Sequence, residues 1–592
     1  MKKSFNRIFI LVALAITINM FITPKIALAN DFDFDEAIIY FLLTDRFNNG
    51  DTSNDDPNGE MYDKTHFETY HGGDFQGLID KLDYLKELGV NTIWISPIVD
   101  NINFNMRYGK DAQYGYHGYW AKDFTQIDEH LGDLELFKKL IDEIHDRGMK
   151  LMVDVVINHT GYGMKQTDDE NGIPNYPTSE DKEVFKDMLR LEPVNSHPTL
   201  GELSGLPDFI TEEENVRNQV IAWHKDWIEK ARTDKGNTID YFRVDTVKHV
   251  DLETLKEFKD QVIEIKEDFK MIGEYFDGSV NFNGEVLNQG GMDSILDFDF
   301  KNIVRDYLRG KFEENERKLI ARNEKLTPDK TTGAFLSSHD EHGFLAMKLN
   351  NDQGLFKVAS TLQMTAKGQP VIYYGEEIGI SGKNAGNMDN GEFSENRYDF
   401  DWTKTENNDM LDHYKKLLKI RNDNTEIFTK GDRKFIYGDK ESGVSIFERT
   451  LNGEAILVFL NIGEDDKKVR FNVNTEDSLF DIYGGNKLVK KEDSLVEILL
   501  PSKNLGGTAM VELHSETANI EVRIEGVESN KDDIHVEVPV TDEDTDNIEV
   551  DDLGEKVSKE SKKNKIPLIG GGALVILLVI LVYIGQTNEN KK

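Results

Sequence analysis

The chain has 592 residues, with 70 Lys+Arg against 110 Asp+Glu and a formal charge of −40. So negative a surface argues against nucleic acid or acidic lipid as the main partner, because both are polyanions. Hydrophobic residues make up 38% of the chain, enough for a sizeable core, and the lack of cysteine excludes disulfides, thiolate zinc sites and cysteine nucleophiles.

In chain order, residues 1–29 read as a secretory signal peptide. Met1-Lys2-Lys3 and Arg7 supply the charged start, Ile8 to Ile18 the apolar run, and Ala27-Leu28-Ala29 the small residues before Asn30. An uncleaved N-terminal anchor is the alternative. From residue 36 to about 400, β-branched and aromatic runs alternate with longer amphipathic segments. The runs at 37–44, 92–96, 151–158, 241–245, 271–274, 294–298, 334–338 and 371–374 predict eight strands. Between them, Leu78, Leu82, Leu85 and Leu88 recur at helical spacing, as do Leu136, Leu140, Ile141 and Ile144. Eight strands separated by helices predict an α/β fold, a (β/α)8 TIM barrel. Its first part covers 30–158 and its second 215–420. A loop-rich inserted domain, 159–214, follows the third strand, where Gly, Pro, Asn and Asp accumulate without a clear period.

Beyond Arg421 short alternating strands, as in 444–447 and 455–460, predict an all-β sandwich over 421–515. Residues 516–565 turn acidic, as in Thr541-Asp542-Glu543-Asp544, and predict an extended stalk. Alternating pieces such as Ile520-Glu521-Val522-Arg523-Ile524 leave a small strand-rich module open. Ile566 to Gly585 carries no charge and, at about 1.5 Å per residue, matches the roughly 30 Å hydrocarbon core of a bilayer. It predicts a C-terminal transmembrane helix, followed by a cytoplasmic tail at 586–592. Together the two ends predict an exported, monomeric protein held at the cell surface, with its large domain outside.

A TIM barrel places its functional groups at the C-terminal ends of its strands. The third strand ends Asp154-Val-Val-Ile-Asn158-His159, and the fourth ends Phe242-Arg243-Val244-Asp245, followed by Lys248-His249. The fifth ends in Glu274, and His339-Asp340 follow the seventh. One such Asp reads as a helix cap. Several strand ends each carrying Asp, Glu, His or Arg are hard to obtain from capping alone.

Over about residues 36–515 the sequence resembles the α-amylase family of retaining glycoside hydrolases. The resemblance rests on DVVINH (154–159), LPDF (206–209), FRVDTVKH (242–249), GEYF (273–276) and SHD (338–340). YHGYW (116–120) and GQPVIYYGEE (368–377) support it. It implies cleavage of α-1,4-glucosidic bonds in starch or maltodextrins, through two carboxyl groups about 5–5.5 Å apart. Asp245 would be the nucleophile, kept ionised by Arg243, and Glu274 the acid/base, its pKa raised by burial and neighbouring carboxylates. Asp340 would hold sugar hydroxyls and favour the oxocarbenium-like geometry. His117, His159 and His339 would donate hydrogen bonds to the same sugar, Tyr119 would stack under its ring, and Lys248 and His249 would line the leaving-group side.

The stretch from Thr44 to Pro57 is dense in side-chain oxygens, which suits calcium or a solvated turn cluster. The resemblance points to a Ca2+ site of Asn49, Asp51, Asn54 and Asp55 with Gly72 and Asp74. It also implies a second Ca2+ site joining Asn158 and Asp208 to the carbonyl of His249. Ser338 stands where the family often has Asn, as in its cyclomaltodextrinase and neopullulanase branches. LPDF and Lys248-His249 look more like extracellular α-amylases and cyclodextrin glycosyltransferases, although the latter usually carry further C-terminal domains. Those branches, an α-glucan transglycosylase and a non-catalytic glycan-binding membrane protein are the rival readings; the intact Asp245, Glu274 and Asp340 set the last apart.

Overall fold

The computed structural model describes residues 32–525, apart from 58, 60–61, 108–111, 166–171, 191–197, 384–393, 474–477, 493 and 515–519. Eight parallel strands close into a barrel: β1 (Ile39–Leu42), β2 (Thr92–Ile95), β3 (Lys150–Val155), β4 (Tyr241–Val244), β5 (Lys270–Gly273), β6 (Ser294–Asp297), β7 (Gly333–Phe335) and β8 (Gln369–Tyr373). They neighbour one another in chain order, and β1 pairs β8 to complete the ring. Parallel strands covered on both faces need continuous apolar runs, which is why Ile39 to Leu42 is buried at every position.

The helices show why the periodicity was informative. Leu78, Leu82, Leu85 and Leu88 lie buried along α1 (Phe75–Leu88). Asp74 caps its start by accepting from the Gly77 amide, and Gly89, at φ +103°, ends it in the left-handed conformation that costs glycine least. In β4 the alternation is decisive. Phe242 faces outward against Phe258 of α2 (Leu252–Ile265) and against Phe269. Arg243 and Asp245 share the opposite, inward face.

After the barrel, two antiparallel sheets share one apolar core. Val444, Leu457 and Phe459 come from one sheet, and Val469, Phe471, Val496 and Ile498 from the other. Within the stretch read as stalk, Val522–Ile524 forms a strand antiparallel to Lys467–Asn472.

The expected fold is corrected on one count. Among the described residues no helix is long and apolar enough to cross a membrane. The transmembrane helix expected at 566–585 lies outside the described residues and forms no part of the described fold, as do the leader at 1–29 and the tail at 586–592.

Candidate active site

Everything at the C-terminal mouth of the barrel is organised around one buried cation. Arg243 Nη1 donates to both carboxylate oxygens of Asp154 at 3.0 Å and to Asp245 Oδ1 at 2.6 Å. Its Nη2 meets Glu274 Oε1 at 2.8 Å. The three carboxylates come from three adjacent strands. Asp154 is the register partner of Arg243, Asp245 follows β4 on the same face as Arg243, and Glu274 follows β5. A guanidinium presents several donors in a rigid plane, so a single side chain fixes all three. Thr246 adopts φ +49°, a strained conformation for a β-branched residue, and its amide donates to Glu274 Oε2 at 3.2 Å.

The two central carboxyls are tuned apart. Burial pushes Glu274 up to about 8, with Asp245 and Asp340 adding repulsion and Arg243 opposing. Burial also raises Asp245, but only to about 6, because Arg243 acts against burial, Asp154 and Asp340. Asp340 goes the other way. Burial would raise it, yet His339, Arg397 and Arg243 hold it below the usual carboxylate range. Its contacts are Arg397 Nη2 at 3.0 Å and His339 Nε2 at 3.0 Å. Burial lowers His339 to about 3 and His159 to about 4, so both imidazoles stay neutral. His117 is likewise lowered, by burial first, and its Nδ1 accepts from the Tyr119 amide at 3.1 Å.

Tyr119 lies parallel to the His339 ring, with centroids 5.2 Å apart, and its hydroxyl donates to Asp154 at 2.7 Å. The Lys248 ammonium donates to the Phe276 carbonyl at 3.3 Å, on the wall formed by the segments after β4 and β5. The His249 ring is tied by Nδ1 to the carbonyl of Pro198, so its imidazole is committed to the insertion.

Three further residues complete the site. Asp154 accepts from Arg243, Tyr119 and Trp94 Nε1, the last at 3.2 Å. A charged residue inside an apolar parallel strand needs a buried partner, so the sequence did carry a signal for Asp154. Arg397 donates to the His339 carbonyl at 2.9 Å and to Asp340, from a segment where no motif marks it. Trp94 stacks on Phe41 with centroids 3.8 Å apart and lies 5.2 Å from the Arg243 guanidinium.

The Alpha amylase, catalytic domain family matches residues 41–426. The chain belongs to the α-amylase family. It is 32% identical over 447 residues to a Beta/alpha-amylase of Paenibacillus polymyxa, a match covering 72% of this chain and 34% of that protein. Thus the chain spans only about a third of that relative's length. An Anoxybacillus α-amylase structure superposes with a TM-score of 0.67 at 29% identity, over 82% of this chain and 100% of that one. A cyclomaltodextrin glucanotransferase with a three-domain ABC distribution gives a TM-score of 0.67 at 28% identity, over 81% and 99% of the two chains. The protein is an α-amylase-type glycoside hydrolase.

The first expected calcium site of this α-amylase family member carries a structural signature. Asn49 Oδ1 and Asn54 Oδ1 are buried without a hydrogen-bond partner, a costly state for a carbonyl oxygen. Asn49 Nδ2 donates to Asp55 Oδ1 at 2.6 Å, and a Cβ on Gly72 would come within 2.3 Å of that same oxygen. Asn49, Asn54, Asp55 and the Gly72 backbone therefore fit a hard oxygen-ligated cation. Asp51 and Asp74 are otherwise engaged. Asp51 Oδ1 accepts from Ser53, while Asp74 accepts from the Gly50, Asp51 and Gly77 amides. Among the described residues no cluster of three His, Cys, Asp or Glu could hold a metal, so the donors here are amide and backbone oxygens.

Chelation should accordingly lower the melting temperature. Calcium at 100 times its Kd contributes about 2.7 kcal/mol, and Asn49→Ala should erase the difference between calcium-loaded and EDTA-treated protein in a thermal melt. An EDTA-insensitive wild type would remove this site. The second set lacks such a signature. The carboxylate of Asp208 meets Arg190 Nε at 2.9 Å and the Gly201 amide at 3.0 Å, and Asn158 Nδ2 faces His159 Nδ1 at 3.3 Å. A guanidinium already balances Asp208, and we place no cation there.

Proposed function

We propose that this α-amylase family member cleaves α-1,4-glucosidic bonds of starch or maltodextrins with retention of anomeric configuration. The observation that carries the proposal is one buried guanidinium bridging Asp245 and Glu274, with Glu274 raised further than Asp245. Two carboxyls sharing one guanidinium suit the roughly 5–5.5 Å spacing of retaining enzymes and leave little room for a water between them. Environments that push two acids apart assign the acid and the nucleophile.

In the first step Asp245 attacks the anomeric carbon while Glu274 gives its proton to the departing glycosidic oxygen. A covalent glycosyl-enzyme forms and the aglycone sugar leaves. In the second step the Glu274 carboxylate takes a proton from water. The hydroxide attacks the anomeric carbon, and Asp245 departs as carboxylate. Asp340, held ionised by Arg397 and His339, sits beside the positive charge that develops on the sugar ring. The neutral imidazoles of His117, His159 and His339 are free to hydrogen-bond its hydroxyls, and Tyr119 offers a ring face. Activity should follow a bell against pH, falling below about 6 as Asp245 gains a proton and above about 8 as Glu274 loses its own. The charged start, apolar run and small residues before Asn30 support action outside the cytoplasm.

Transglycosylation is the second reading. It is favoured by the equal superposition on a glucanotransferase of three-domain arrangement, which removes domain count as a discriminator. Products from soluble starch, cyclodextrin and pullulan, followed in time with the anomeric configuration read early, separate the two. Early α-anomeric maltooligosaccharides support hydrolysis with retention. Cyclic or lengthened products favour transfer, and β-anomers would overturn the mechanism.

A further inference from the structure

The loop after β5 carries a feature that catalysis at Glu274 does not use. Phe282 is 63% exposed, although Ser279, Val280, Val286 and Leu287 around it are buried. An aromatic ring in water forgoes about 1.5–3 kcal/mol of burial, so folding alone does not account for its position. Nor is the loop slack. Ser279 and Phe282 exchange backbone hydrogen bonds at 2.8 and 3.1 Å, and Ser279 Oγ accepts from the Asn281 and Phe282 amides. The Phe298 amide ties Gly278 to the end of β6 at 2.9 Å. Gly284, at φ +57°, lies so close under Tyr275 that a Cβ there would come within 2.3 Å of the ring.

The ring is therefore held out on a firm base, and its one aromatic neighbour is Tyr275, edge-on with centroids 5.8 Å apart. Tyr275 directly follows Glu274, and the Lys248 ammonium lies 5.7 Å from its ring. Tyr119, His339 and Asp340 come from other parts of the mouth, the segment before β3 and the segment after β7. The wall of Lys248, Tyr275 and Phe282 thus begins at Glu274 and runs outward on the side to which that residue delivers its proton.

We propose that Phe282 is an aglycone subsite: a platform, backed by Tyr275, for a glucose ring of the leaving or accepting α-glucan beyond the first sugar. The flat face of an aromatic ring suits the C–H face of a pyranose. Such a contact adds affinity for long chains and does nothing for a substrate whose aglycone is a single ring. The inference rests on the cleavage reading above, and its test separates the two.

The measurement is kcat/KM for maltoheptaose relative to that for an aryl maltoside, in wild type, Phe282→Ala and Phe282→Trp. The ratio should fall about fivefold in Phe282→Ala, the scale of one aromatic contact, and recover in Phe282→Trp. Transfer to added maltose should fall with it. An aryl maltoside cleaved by all three proteins at an unaltered ratio overturns the subsite while leaving the cleavage reading intact. A wild type that cleaves neither compound overturns the cleavage reading. Calorimetric binding of maltoheptaose then decides the platform: weaker binding to Phe282→Ala supports it, and equal binding refutes it.

Discussion

Glu274→Gln is expected to lower kcat by about three orders of magnitude, the upper range for a positioned acid/base, while maltooligosaccharide binding persists. Gln keeps the shape and hydrogen-bonding reach of the side chain but has no proton to deliver. The Glu274 environment is built for the neutral form, because burial pushes its pKa to about 8 despite a guanidinium at 2.8 Å. An uncharged amide should therefore be tolerated by the fold. The residual rate should also lose its alkaline limb, since the group that deprotonates there is gone. Steady-state kinetics with calorimetric binding checks both halves, and near-wild-type turnover in Glu274→Gln would sink the acid/base role.

Arg243→Met should be the most damaging single change to stability. The Arg243 side chain is 1% exposed and contacts three carboxylates, Asp154, Asp245 and Glu274, all of them buried. Methionine fills much of the volume but leaves those acids without a counter-charge. Breaking a buried ion pair from one side costs about 3–5 kcal/mol. With the cation gone all three carboxyls gain protons more readily, so Asp245 should be lost as a nucleophile at neutral pH. Arg243→Lys should rescue little, because a point charge cannot span three partners as a planar fork does. Denaturant midpoints with single-turnover kinetics test this, and a wild-type midpoint in Arg243→Met would show that the cluster is not held by its charge.

Much of the barrel was legible because its physics is local. Parallel strands buried on both faces must be apolar throughout, and helices packed over them must repeat at 3.6 residues. Strand ends were less legible. The run at 334–338 contributes only Gly333–Phe335 to the barrel, so His339 and Asp340 stand beyond the ladder. Chain direction changes there for tertiary reasons that composition does not record. Likewise, the oxygen-rich loop was visible as composition, whereas the roles of its members were not. Asp51 and Asp74 serve amides and hydroxyls, and the orphaned oxygens belong to Asn49 and Asn54.

By itself the sequence determined the strand and helix order, the family and the identity of the acids at the strand ends, because each is written in residues close together along the chain. Only the tertiary structure decided that Asp154 and Arg397 join the site, that Asp208 is balanced by Arg190, and that Glu274 holds its proton more tightly than Asp245. Those outcomes depend on burial and on which charges meet across strands and loops distant in the chain. Desolvation and Coulomb energy are set by distance in space, which the linear order of residues does not contain.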